Sequence, residues 1–149
     1  LLDESIQVAN AFIENGPLVY QVDNRGERSY DAQPGDVLTD LPLVVLVNNY
    51  TASGAELVAG AIQDDHRGVL IGQKTYGKGT VQQIFPLSDK SSLHVTSAEW
   101  LTPLRHALDA VGLEPDIAMI PDAQGRDVEL GEAVHYLQGV LLEGNPASG

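Results

Sequence analysis

The run Leu43-Val44-Val45-Leu46-Val47 constrains this chain more than any other stretch. Five consecutive apolar residues suit a strand covered on both faces, as in a parallel sheet flanked by helices. The run stops at Asn48-Asn49-Tyr50-Thr51, and a helical stripe of Leu57, Val58, Ala61 and Ile62 follows within residues 53–64. A buried strand turning directly into a helix is a building unit of α/β layer folds. The junction falls at Ser53.

The rest of the pattern agrees. Leu2, Ile6, Ala9 and Ile13 recur at helical spacing and predict a helix over 3–15, ended by Gly16-Pro17. Leu18 to Val22 and Arg28 to Ala32 read as strands around the turn Asp23-Asn24-Arg25-Gly26, and Pro34-Gly35-Asp36 opens a loop. Gly68 to Ile71 is a short strand, 72–79 a glycine-rich turn, and Val81 to Phe85 and Leu93 to Leu101 are strand-like. Leu113 to Ile120 is irregular or extended. Asp127 caps a last helix with Leu130, Val134, Leu137 and Leu141 on one face, followed by a frayed tail over 144–149. No internal repeat or low-complexity tract is present.

Composition narrows the function. A chain of 149 residues is one domain's worth, and 43% hydrophobic against 19% charged residues supports a packed core. A net charge of -13 with only eight Lys and Arg argues against nucleic acid and anionic membranes as partners. The absence of cysteine excludes disulfides, thiol catalysis and Cys-ligated zinc. His66, His94, His106 and His135 lack HExxH spacing, so neither a metal nor another cofactor is expected. No apolar run reaches the roughly 20 residues of a membrane span. The opening Leu1-Leu2 reads as the start of a fragment of a longer protein.

Two segments carry chemistry. Ser53 stands where a buried strand meets a helix, and free N–H groups at a helix start stabilise negative charge. Gly54 brings its N–H to an incoming carbonyl with no side chain in the way. An ordinary N-cap serine has the same local sequence, and that reading stays open. The second segment is Gly72-Gln73-Lys74-Thr75-Tyr76-Gly77-Lys78-Gly79-Thr80. It nearly matches a phosphate-binding loop, but Gly79 replaces the metal-binding hydroxyl and a strand-like run replaces the required helix. Lys78 reads better as a base. Flanking glycines let the backbone bring the amine inward, and a lysine in a dry pocket loses its charge more easily. A solvated loop lysine is the plain alternative. No Ser-His-Asp set forms a local motif, although distant residues can assemble one.

Together these segments resemble the carboxyl-terminal processing, or tail-specific, proteases. The likeness runs through Leu43 to Asn48, Thr51-Ala52-Ser53 and Glu56 to Asp64. It resumes at Gly72, Lys74 to Gly79 and Val81-Gln82, with a weaker echo at Thr102-Pro103 and Gly112 to Ile117. Ser53 and Lys78 lie 25 positions apart, the separation expected from the family. The resemblance implies a crotonase/ClpP-like layered α/β core with a mixed sheet and flanking helices. It implies Ser53 as nucleophile, Lys78 as general base, Gln82 as the residue holding the lysine, and Gly54 as one oxyanion donor. Its substrates would be proteins with exposed apolar C-terminal tails, in a periplasmic or otherwise exported location.

There are departures: Gly54 and Ala55 stand where the family usually has Ala and Ser, and Leu104-Arg105-His106 replaces the usual Ser-Gly-Arg. Residues 1–149 are expected to be a partial catalytic domain, without the family's upstream strand, its Asn-x-Gly-Gly turn and its PDZ domain. Such a fragment would be a poor peptidase alone, and its bare sheet edge would offer a second copy a pairing surface for a homodimer. Two rival classes remain: a crotonase-like acyl-thioester enzyme, and a non-catalytic peptide-binding relic of the protease fold.

Overall fold

Apolar spacing at the N-terminus winds Leu2–Asn10 into helix α1, in a computed structural model that describes residues 2–35, 38 and 41–143. The helix ends earlier than the apolar pattern predicts. The Asn10 side-chain amide donates to the Gln33 carbonyl at 3.1 Å, and Asn10 Oδ1 accepts the Gln33 N–H at 2.5 Å. An asparagine satisfied by a distant backbone has less reason to stay inside a helix. Ile13 is nevertheless buried, carried inward by the turn that follows.

Two sheets form. Strands β1 (Pro17–Asp23) and β2 (Gly26–Asp31) make the expected hairpin, with Asp23 opposite Gly26. They join β5 (Thr80–Pro86) and β6 (Ser92–Leu101) in an antiparallel sheet of order β2-β1-β6-β5. The second sheet is parallel and runs β3 (Val44–Val47), β4 (Val69–Gly72), β7 (Ile117–Ala118). The mixed strand directions expected of the fold are thus divided between two sheets. Helix α2 (Gly54–Asp64) serves two apolar clusters. Leu57 packs with Val47, Leu70, Trp100, Leu108 and Leu113. Ala61 and Ile62 pack with Ala9, Ile13 and Leu18. This double burial is what sets Ser53, at the helix start, in a fixed place.

Two apolar stretches are less covered than their patterns imply. Leu46 of β3 is 44% exposed, and β3 is an edge of its sheet among the described residues. Asp127 does cap helix α3 (Val128–Glu143), its Oδ1 accepting the Leu130 N–H at 2.8 Å. The helix packs on β3 and β4 and buries Ala133, whereas Leu130, Val134 and Leu141 face outward. The tail over 144–149 and position 36 of the loop lie outside the described residues.

Candidate active site

The turn after β3 is tied by its own side chains. Asn48 Oδ1 accepts the Tyr50 N–H at 2.9 Å, and Thr51 Oγ1 accepts the Asn48 N–H at 3.0 Å. The chain then reaches Ser53 with φ 55° and ψ -121°. A non-glycine residue rarely adopts this conformation, which costs about 1–3 kcal/mol and persists only where the surroundings impose it. Here a carboxylate imposes it: Glu56 Oε2 accepts the Ser53 N–H at 2.9 Å. Gly54 opens α2, so its N–H has no acceptor within the helix.

Glu56 does far more than cap. Its side chain is fully buried, at 0% exposure. Oε1 accepts the Thr75 hydroxyl at 2.5 Å and the Gly77 N–H at 2.7 Å. Oε2 accepts the Lys78 N–H at 2.8 Å beside that of Ser53. Two bonds to one oxygen keep the Ser53 and Lys78 backbone nitrogens no further apart than the combined length of those bonds. A buried carboxylate is tolerable only when its lone pairs are filled in this way. Thr75 extends the network, since its Oγ1 accepts the Leu113 N–H at 2.7 Å. The Thr51 carbonyl also accepts the Tyr76 N–H at 2.9 Å, a second tie between the serine turn and the lysine loop.

The glycines around Lys78 are sterically required. Gly77 has φ +85°, and a Cβ there would lie 2.9 Å from the Gly112 nitrogen. A Cβ on Gly79 would lie 2.2 Å from the Asp109 nitrogen. Only glycine lets the loop pass this close to the 108–112 segment. Lys78 itself is exposed, so the described residues do not form the dry pocket expected around its amine. The glycines bring the backbone inward and leave the side chain outward. The Gln82 amide donates to Thr96 Oγ1 at 2.6 Å and to Thr80 Oγ1 at 3.3 Å. Two of the histidines engage other partners: His94 contacts Ser92 at 3.0 Å, and His106 lies 3.5 Å from Asp64.

Glu56 and Thr75 are the site residues that sequence reasoning did not single out. Ser53-x-x-Glu56 has the form of a capping box, so half of the Glu56 role was available locally. Nothing in the spacing marks Thr75.

Fold and site together define an α/β-layered core in which one buried carboxylate ties a strained serine turn to a glycine-flanked lysine loop. Residues 1–119 match the profile of peptidase family S41. The chain is 43% identical over 116 residues to a carboxyl-terminal-processing protease of Picosynechococcus sp., covering 78% of this chain and 28% of that protein. It is 39% identical over 142 residues to a carboxy-terminal-processing protease of Bartonella bacilliformis, covering 89% and 32%. Among solved structures, the photosystem II D1 C-terminal processing protease superposes with a TM-score of 0.73 at 38% identity, over 84% of this chain and 34% of that one. The chain belongs to peptidase family S41. It spans about a third of the length of the curated relatives it matches.

Proposed function

We propose that Ser53 and Lys78 are the nucleophile and general base of an endopeptidase that cleaves proteins presented by apolar C-terminal tails. The observation that carries this reading is the shared Glu56 oxygen, which ties the strained serine to the lysine loop. The Ser53 hydroxyl attacks the peptide carbonyl while neutral Lys78 Nζ takes its proton. The Gly54 N–H stabilises the resulting oxyanion. The tetrahedral intermediate then expels the amine, which receives the proton from Lys78. Water attacks the acyl-serine, giving its proton to Lys78; the second tetrahedral intermediate expels the Ser53 oxygen, which takes that proton back as the acid is released. A bound substrate would supply the cover that Lys78 lacks here. The amide nitrogen of Gln82 is engaged by two threonines, which frees its carbonyl oxygen to receive the lysine ammonium.

Relatives named for carboxyl-terminal processing, some of them chloroplastic, support action at C-terminal tails and an exported location. Among the described residues β3 is an edge of its sheet, and a second copy would pair along that edge.

The test uses the full-length protein with an unfolded substrate ending in an apolar tail. Ser53→Ala and Lys78→Ala should each lower kcat/KM by at least about 10³. Only the wild type should be labelled at Ser53 by a fluorophosphonate. His66→Ala, His94→Ala and His106→Ala should each leave kcat/KM near the wild-type value. Undiminished cleavage by Ser53→Ala would rule out the mechanism.

A further inference from the structure

We propose that Asp109 is a positioning residue for the lysine base: its carboxylate holds the peptide plane that follows Lys78 and so fixes the direction in which the amine leaves the loop. This rests on the peptidase reading above. Lys78 stands between two planar peptide units, and the orientations of those planes set its φ and ψ. The two angles fix where Cβ points, and the exposed side chain starts from there.

The plane before Lys78 is gripped at both ends. Glu56 Oε2 accepts the Lys78 N–H at 2.8 Å, and the Gly77 carbonyl accepts the Ala110 N–H at 2.9 Å. The plane after Lys78 depends on a different carboxylate. Its N–H, that of Gly79, donates to Asp109 Oδ1 at 3.2 Å. Successive residues, Asp109 and Ala110, thus reach the two planes that flank the lysine.

The turn that carries them is firmly anchored. Leu108 is fully buried, and its carbonyl accepts the Val111 and Gly112 N–H groups at 3.1 and 2.9 Å. Ala110 has φ 56°, which is uncommon for a residue with a Cβ. Such conformations persist where the surroundings impose them, and they gather at functional sites. Asp109 itself is exposed, so its side chain can change without disturbing the core. A single surface hydrogen bond contributes little to stability, and its position beside Lys78 is what gives it a role.

The experiment uses the full-length protein, the unfolded substrate with an apolar tail, and the variants Asp109→Ala and Asp109→Asn. The first removes the acceptor. The second keeps a carbonyl oxygen in its place and removes only the charge. Asp109→Ala should lower kcat about tenfold with KM within about twofold, because a misdirected base slows proton transfer and leaves substrate binding unaltered. Asp109→Asn should keep kcat within about threefold of wild type. Amide exchange at Gly79 should quicken at least about fivefold in Asp109→Ala and stay slow in Asp109→Asn. The urea midpoint should be the same in all three proteins. Unchanged kcat in Asp109→Ala, or equal losses in the two variants, would overturn the role. So would a loss of kcat matched by a fall in the urea midpoint, which would make Asp109 a structural residue only. These outcomes leave the peptidase reading standing. No cleavage by the wild type together with no fluorophosphonate labelling of Ser53 would overturn that reading and this role with it.

Discussion

The Glu56 hub and the β5–β6 hairpin are neighbours in sequence and opposites in construction. At the hub, three backbone N–H groups and one hydroxyl converge on one fully buried side chain. In the hairpin, backbone groups satisfy one another along the ladder from Thr80–Glu99 to Pro86–Ser92. Its outer side chains, including Ile84, Phe85, Leu93 and Val95, face water. The hub has no slack, because each donor loses its only partner if the carboxylate moves. The hairpin tolerates change, because its bonds do not depend on side chains. Placement of Ser53 and Lys78 is therefore a property of buried polar atoms, while the outer part of the hairpin, from Ile84 to Val95, is a surface open to variation.

Removing the carboxylate should separate the two regions most sharply. Glu56→Ala leaves several donors buried without partners, and a loss of about 3–5 kcal/mol in urea unfolding is expected. A loss under about 1 kcal/mol would mean that water or rearrangement replaces the carboxylate, and the contrast would fail. Gly79→Ala comes next. Its Cβ would meet the backbone at Asp109, a contact no side-chain rotation relieves, so a loss above about 2 kcal/mol is expected. Unchanged thermal unfolding would show the 108–112 segment to be more yielding than its packing implies.

Thr75→Val sharpens the comparison by removing one hydroxyl at nearly constant shape. It deletes a donor to Glu56 and the acceptor for the Leu113 N–H, for an expected cost of about 1–3 kcal/mol. Amide exchange should accelerate at Leu113, and also at Gly77 and Lys78 if the network acts as a unit. Smallest of all, Ile84→Thr and Phe85→Ser should each change stability by no more than about 0.5 kcal/mol. A larger loss in either would show that the hairpin packs more than its exposure suggests.

Much of this was legible in the linear pattern, and its limits have a common cause. The apolar runs at 43–47 and 69–71 mark strands because each is bounded by turn residues. The helix over 54–64 is marked by a stripe with the right period. Periodicity identifies an apolar face without naming what covers it. That is why α3 shows a clear stripe while Leu130, Val134 and Leu141 remain exposed, and why Leu46 is open in an unbroken apolar run. Helix α1 stops at Asn10 for the related reason that its partner, Gln33, lies 23 residues away.

The sequence alone determined that a serine stands at a strand-to-helix junction and that Lys78 lies between two glycines. Those features depend on residue type and near neighbours: a helix begins where its stripe begins, and glycine alone fits the close backbone passage. It also carried the Ser53-x-x-Glu56 pairing, which closes within one helical turn. Only the tertiary structure decided that the same Glu56 reaches Thr75, Gly77 and Lys78, 19 to 22 positions away. Only it set the Asp109 carboxylate against the Gly79 N–H, 30 positions away. A carboxylate can accept from any donor that packing presents, and no local spacing specifies which donors those will be.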